Sequence, residues 1–302
     1  MSSANKLTVL ITGCSPGGMG AALAVAFHSA GHDVYATARN TSKLNPLAKQ
    51  GIKTLLLDIT SASSIASAVA SITTSLPSTK GLDILINNAA GIHTMPLADA
   101  SIPAARELFD LNVWAQLAVT QAFLPLLLRS ATPTSTFHPL IVNHTSVGSV
   151  AALPFQGIYN VSKAALAMLT ATLRMELAPF DIRVIDLKTA GVKTNIISNS
   201  NFNDGTRADR LPEDSIYAPA RELVEHSMSQ EALRDRGVTP EQWAGEVVGL
   251  LLGRNPPAVI WRGESALLAR VATAVPCGLM EGVTAKLMGL DKVEEVIREA
   301  RR

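Results

Sequence analysis

The sequence predicts a doubly wound α/β fold: a parallel seven-stranded sheet covered on both faces by helices, with a helical extension at the C-terminus. Three observations carry that prediction. Seven short apolar runs recur along the chain, segments of helical periodicity separate them, and a glycine cluster, TGCSPGGMG, follows the first run. Strands buried on both faces read as nearly continuous apolar runs. Their alternation with helices is the pattern of a parallel sheet.

The elements follow in order. Thr8 to Thr12 is the first strand and Met19 to Ala30 the helix after the glycine cluster. Asp33 to Ala38 and Lys53 to Leu57 are the next strands, with a short helix at Ser42 to Lys49 between them. The helix Ala62 to Leu76 leads to a strand at Asp83 to Asn87, and the long helix Ile102 to Arg129 to a strand at Leu140 to Asn143. The helix Phe155 to Ala178 precedes the strand Arg183 to Leu187, and the helix Pro240 to Leu252 precedes a last strand near Ala258 to Trp261.

Two regions break the alternation. Between Thr194 and Gly237 the chain turns polar, with Asn199, Asn201, Asn203, Asp204, Gly205 and Pro212, and resumes a helical pattern near Ile216. So long a connection inside a domain is typically functional, and residues 195–238 are expected to form a substrate lid. Residues 1–263 then form the catalytic domain and 264–302 the extension. Within the extension, Glu264 to Leu290 reads as two short amphipathic helices split by Pro276 and Gly278, suited to cap a pocket or to lie on a bilayer. The charges from Lys292 to Arg302 read as a solvated helix face.

Composition excludes several functions. The 302 residues include 26 basic and 25 acidic side chains, so no overall field recruits nucleic acid or an anionic membrane. Cys14 and Cys277 cannot build a disulfide framework and have no metal-ligand spacing, which fits a reducing compartment and leaves no metal site. The N-terminus runs straight into the first strand without an apolar signal region, so a cytoplasmic location is expected. Apolar stretches at Ala115 to Leu128 and Ala266 to Met280 are interrupted by polar residues and proline, short of the roughly 20 residues a span needs. The mean hydropathy of +0.24 leaves peripheral contact with an intracellular membrane or lipid droplet open.

The glycine cluster points to a dinucleotide. Gly13, Gly17, Gly18 and Gly20, ahead of an apolar helix, let the backbone approach a pyrophosphate while the helix N-terminus presents N–H groups to it. An NAD site expects a carboxylate near the end of the second strand, but the sequence there is VYATARN. A guanidinium suits the additional phosphate of NADP, so NADP(H) is expected, with Arg39 as anchor and Asn40 and Lys43 as helpers. Asp58 fits an adenine amino group or the N-cap of the following helix.

At the other end, Tyr159 and Lys163 in YNVSK lie four residues apart, so on a helix they share a face and suit proton transfer. A neighbouring cation favours the phenolate, lowering the tyrosine pKa. His93 reads as a surface-loop histidine, His144 as buried packing, and Trp114 and Trp243 as core.

The motifs TGCSPGGMG, NNAAG at Asn87 to Gly91, Asn112 in LFDLNVW, Ser146 in NHTSVGS, and YNVSK together resemble the short-chain dehydrogenase/reductases over roughly residues 7–195. The resemblance implies a Rossmann fold and a proton-transfer tetrad of Asn112, Ser146, Tyr159 and Lys163. In it Tyr159 is the acid, Ser146 holds the carbonyl oxygen, and Lys163 binds the nicotinamide ribose. Asn112 orders a water. The resemblance places Gly13, Ser15, Gly18, Met19, Gly20, Arg39, Asp58, Asn88, Tyr159, Lys163, Val192 and Thr194 around the cofactor. The chain departs from the family in a longer glycine loop, in Ala90, and in Ala190 before Gly191.

Within the family, VYATARN, LPFQGIYNVSKAAL, GVKTNI and WRGESALLAR resemble the fungal NADPH-dependent 1-acyldihydroxyacetone-phosphate reductases. The expectation is an NADPH-dependent reductase of a hydrophobic, lipid-like or secondary-metabolite ketone. Three alternatives stay open: alcohol oxidation, a redox-neutral isomerisation at the same site, and a non-catalytic NADP-binding regulator. Relatives often form homo-oligomers through the two long helices.

Overall fold

Seven strands form one parallel sheet in the order β3-β2-β1-β4-β5-β6-β7 in the computed structural model, which describes residues 6–132, 137–194, 210–231, 236–275 and 277–302. They are β1 (Thr8–Ile11), β2 (Asp33–Ala38), β3 (Lys53–Leu56), β4 (Ile84–Asn87), β5 (Leu140–Ser146), β6 (Arg183–Thr189) and β7 (Val259–Arg262). The order reverses between β1 and β4. In open parallel sheets such a reversal opens a crevice at the carboxyl ends of the strands, where ligands bind.

Successive strand residues point to opposite faces, and here both faces are apolar. Val9, Ile11, Ile84, Ile86 and Val142 pack on one side with α1 (Met19–Ser29) and α8 (Pro240–Leu251), around Trp243. Leu10, Leu85 and Ile141 pack on the other with α3 (Ala62–Ser75) and α5 (Ala115–Ser130). This two-sided burial explains why the strands lack polar alternation. Below the site, Asn87 Nδ2 donates to Thr120 Oγ1 and Asn143 Oδ1, and Asn143 Nδ2 donates to Thr170 Oγ1. These bonds tie β4 and β5 to α5 and to α6 (Gly157–Leu177).

Three differences from the sequence expectation concern the site. β5 ends at Ser146 and β6 at Thr189, beyond the apolar runs, because parallel pairing continues through Ser146↔Thr189 although the side chains are polar. The helix expected from Phe155 begins at Gly157, since Phe155 has a left-handed φ of 62° and its carbonyl accepts from Met95 N at 2.7 Å. The long helix Ile102–Ser130 divides into α4 (Ile102–Phe109) and α5, joined by one wide π turn at Asp110–Trp114. By length and composition this helix is able to cross a membrane, yet half of its apolar window is buried, with Val119, Phe123, Leu126 and Leu127 against the sheet.

The short helix between β2 and β3 is two consecutive turns, Thr41–Leu44 and α2 (Asn45–Ala48). Of the expected lid, residues 195–209 and 232–235 lie outside the described residues, and the rest contains α7 (Arg221–Ser229). After β7 come α9 (Ala266–Ala272), α10 (Cys277–Leu287) and α11 (Leu290–Ala300). α11 is not only a solvated face: Val293, 1% exposed, packs with Leu211, Val224 and Met228 and so fastens the chain's end to the segment around α7. Two further expectations fail. His93 is buried, and Trp114, expected in the core, is 56% exposed on the π turn. Trp243 is fully buried and His144 nearly so.

Candidate active site

The glycine turn is shaped for close backbone approach. Gly13 has φ +74°, and a Cβ there would lie 2.7 Å from Ala89 Cα. A Cβ on Gly20 would lie 2.5 Å from both Asn88 Nδ2 and the Gly13 carbonyl oxygen. Gly18 precedes α1 without a side-chain cap, so the first N–H groups of that helix face the crevice unblocked. Gly13, Ser15, Gly18, Met19, Ala38, Arg39, Leu57 and Ile59 line this end. Met19, Asn88, Ala90 and Thr194 line it too and also line the next pocket, which holds Ser146, Tyr159, Lys163 and Val192. One crevice therefore runs from Arg39 to Tyr159. Its glycine walls and basic end fit a dinucleotide.

The candidate catalytic end is assembled from β5 and α6. Ser146 ends β5, and its Oγ accepts from Gly148 N at 3.1 Å and hydrogen-bonds the Tyr159 hydroxyl. Tyr159 and Lys163 stack one helical turn apart, with Nζ 5.8 Å from the ring centroid. Lys163 Nζ donates to the His144 carbonyl at 2.9 Å. Burial pushes the Tyr159 phenol up from its ordinary pKa, and the Ser146 bond pulls it back. Burial drives Lys163 down to about 8, against the attraction of Asp186. The lowered tyrosine pKa expected from the sequence is not found here, because burial outweighs the Ser146 hydrogen bond.

Asn112 sits in the π turn, fully buried, where the wide turn aims it at the neighbouring loop. Its Oδ1 accepts from Gly91 N at 2.9 Å, and Nδ2 donates to the Gly91 carbonyl and to Ser162 Oγ, both at 3.0 Å. Both amide hydrogens are used. A water beside it would have to donate to the second lone pair of Oδ1.

Several expected cofactor residues also have partners within the protein. Asn88 lines the crevice, but Nδ2 donates to the carbonyls of Thr12 and Gly13, and Oδ1 meets His144 Nδ1 at 2.9 Å. Asp58 Oδ1 accepts from Thr60 N at 3.0 Å and from Thr60 Oγ1 at 2.7 Å, while Ser61 caps α3. Asp58 therefore closes a turn through Oδ1 and does not cap α3, and it sits between Leu57 and Ile59, which line the crevice. Asn40 accepts from Ser42 N and Oγ, and Lys43 is exposed away from the crevice lining.

The structure adds residues that sequence reasoning missed. His144 stacks on Trp243 with centroids 5.2 Å apart, and its Nε2 meets Thr189 Oγ1 at 2.7 Å. Burial and the nearby Lys163 push its pKa down to about 3, so the ring is neutral. Thr12 Oγ1 accepts from the backbones of Asn88 and Ala89, holding β1 to the NNAAG loop. Leu153, Gln156, Gln230 and Arg236 line the catalytic pocket. The last two arrive from beyond Thr194, where no local pattern marks them.

A family model described as short chain dehydrogenase matches residues 7–204. The chain belongs to that family. This short-chain dehydrogenase is 48% identical over 295 residues to a short-chain dehydrogenase/reductase of Pestalotiopsis microspora, covering 98% of each chain. It is 36% identical over 280 residues, 89% of each chain, to an NADPH-dependent 1-acyldihydroxyacetone phosphate reductase of Schizosaccharomyces pombe. Among solved structures, it superposes on a short-chain dehydrogenase of Streptomyces avermitilis with a TM-score of 0.74 and 25% identity, covering 97% and 98% of the two chains. An NADPH-bound carbonyl reductase from chicken fatty liver gives a TM-score of 0.57 at 26% identity, over 64% of this chain and 82% of that one. The chain is an oxidoreductase with the Rossmann architecture.

Proposed function

We propose that this short-chain dehydrogenase uses NADPH to reduce a ketone on a hydrophobic substrate of the lipid or secondary-metabolite kind. One observation carries the reading: the crevice has an arginine and no carboxylate at its β2 end, and Ser146, Tyr159 and Lys163 together at the other. Arg39 would hold the 2′-phosphate, the glycine turn the pyrophosphate, Lys163 and Tyr159 the nicotinamide ribose, and Val192 and Thr194 the carboxamide. NADPH, when bound, supplies a hydride.

The chain's own residues handle the proton. The Ser146 hydroxyl donates to the substrate's carbonyl oxygen, and the Tyr159 hydroxyl delivers its proton as negative charge develops there. Lys163, as a cation, stabilises the phenolate left behind. Asn112 keeps Gly91 and Ser162 in place around this group. The bonds that this structure directs elsewhere, such as Lys163 to the His144 carbonyl, are expected to shorten toward the reacting groups only in the complex.

The hydrophobic substrate class has its own support. Ile92, Val147, Leu153 and Val192 line the catalytic pocket. Leu153 is shared with an apolar groove bounded by Leu97, Phe155, Val161, Tyr217 and Leu290, suited to an acyl or polycyclic arm. Exposed Val161, Met168 and Met175 on α6 fit assembly of two copies. Sedimentation would reveal a monomer if that part is wrong.

The test is Tyr159→Phe, assayed by ketone-dependent NADPH oxidation over a panel of hydrophobic ketones. Turnover should fall by about 10²–10⁴-fold, the usual worth of a positioned acid, with NADPH binding kept. Unchanged turnover removes Tyr159 as the acid and the reading with it.

A further inference from the structure

The mechanism makes no use of the charged pair buried beside it. Asp186 and Lys188 lie two residues apart on β6 and so share a face of the sheet, 4% and 6% exposed, with Nζ 2.8 Å from Oδ2. Register sets Asn143 beside Asp186 and Thr145 beside Lys188 on β5, and Trp261 beside Lys188 on β7. Two apolar residues would stabilise such a position at least as well, because an ion pair taken out of water barely repays its desolvation. The partners indicate what the pair does instead.

Both ends reach the proton-transfer group. Lys188 Nζ donates to Ser149 Oγ at 2.7 Å, and Ser149 Oγ donates to the Ser146 carbonyl at 2.6 Å. The ammonium thus locks the turn Val147–Ser149 that starts at the catalytic serine, while its charge sits 5.6 Å from the Trp261 ring. Thr145, between His144 and Ser146, donates from Oγ1 to Asp186 Oδ1. The flanking His144 carbonyl is where Lys163 Nζ is anchored.

We infer that Asp186 and Lys188 are positioning residues for the reaction: the carboxylate holds Thr145 beside the His144 carbonyl that anchors Lys163 and serves as that lysine's counter-charge, and the ammonium fixes the turn that follows Ser146. This inference rests on the proposed roles of Ser146 and Lys163. The groups that act on the Lys163 charge can be named element by element. Tyr159 lies on α6 itself, neutral His144 on β5, and Asp186 on β6 with Lys188 beyond it. The turn Val147–Ser149 carries no charge; Asp110 of the π turn and Arg106 and Glu107 of α4, both elements packed on α6, are exposed, and Arg236, which lines the same pocket, is an exposed cation. Asp186 is therefore the anion that opposes the desolvation of Lys163.

The test follows from opposite signs. In Asp186→Asn the anion is lost and Lys188 remains, so Lys163 sheds its proton at lower pH. The alkaline limb of the kcat profile should move acidward by about one unit, within the range seen for nearby opposite charges. In Lys188→Met the carboxylate has only Lys163 to answer, so the limb should move alkaline. The double variant Asp186→Leu/Lys188→Met removes both charges into apolar volume, should fold even where the single variants do not, and should move the limb acidward.

A second readout needs no turnover. NMR titration of lysine Cε signals in cofactor-free protein, with Lys163 assigned by its loss in Lys163→Met, should show the same displacements. Folded single and double variants whose Lys163 titration matches the wild type would overturn the inference. Activity surviving in Tyr159→Phe would instead overturn the proposed function, so the two failures are distinguishable.

Discussion

Asn88 Oδ1 and His144 Nδ1 lie 2.9 Å apart, and through this contact the glycine turn of the crevice is tied to the strand that ends in Ser146, the proposed carbonyl-binding serine. The same asparagine holds the Thr12 and Gly13 carbonyls with its Nδ2. Asn88→Ala deletes all three bonds and leaves partly buried acceptors unpaired, at a cost of about 1–3 kcal/mol. Urea unfolding should record that loss, and fluorescence titration should show weaker NADPH binding as the glycine turn loosens.

Lys163 lies buried with its pKa pushed down to about 8, against an ordinary lysine value near ~10.4. Below about pH 8 the cation is present folded and unfolded, and its burial costs on the order of 3 kcal/mol. As pH rises from about 8 to about 10 the folded protein has already lost the proton, the unfolded chain still binds it, and the cost is relieved. Lys163→Met should therefore abolish turnover yet stabilise the fold at neutral pH by about 1–2 kcal/mol, after losing the His144 hydrogen bond. That gain should shrink across the same pH interval when urea midpoints are compared.

Arg39 is exposed at the β2 end of the crevice, where a 2′-phosphate would meet its guanidinium. A charge-assisted bond of about 1.5–3 kcal/mol corresponds to about 10–150-fold in affinity. Arg39→Ala should weaken NADPH by that factor and leave NADH nearly unchanged, as read from the two dissociation constants. Equal weakening of both cofactors would place Arg39 outside 2′-phosphate recognition.

Gly20 is packed so that a methyl group would meet Asn88 Nδ2 and the Gly13 carbonyl at 2.5 Å. Gly20→Ala must push the Asn88 brace or the glycine turn aside, at about 1–3 kcal/mol for an overpacked site. NADPH binding should fall more than the thermal midpoint suggests, because the atoms displaced are those of the cradle. Gly245→Ala on α8, which meets nothing within 4 Å, should be neutral to slightly stabilising as a control.

Much of the site was legible because its residues lie on short local motifs. The shared face of Tyr159 and Lys163 needed only the helical repeat, their candidate role needed the resemblance carried by the other motifs, and the glycine turn needed a strand before and a helix after it. Asp58 stayed open between an adenine contact and a helix cap, because a carboxylate at a strand end looks the same in either role; here its Oδ1 closes a turn with Thr60 and Ser61 takes the cap. Asn88 was placed at the crevice, but its role as a brace depends on Thr12, Gly13 and His144, three partners distant in sequence. Nothing local distinguishes His93 as buried or Trp114 as exposed, since burial is set by what packs on a residue from elsewhere in the chain.

By itself the sequence determined the order of strands and helices along the chain and the parallel sheet, and it named the candidate proton-transfer side chains, because hydrophobic period and motif spacing are properties of neighbours along the chain. Only the tertiary structure decided the electrostatics. The carboxylate of Asp186 influences Lys163, and Lys188 reaches Ser149, because β5 and β6 pair in one register. Charge acts through space and through the water that packing excludes, so the protonation of the site was set by contacts that no stretch of the chain encodes alone.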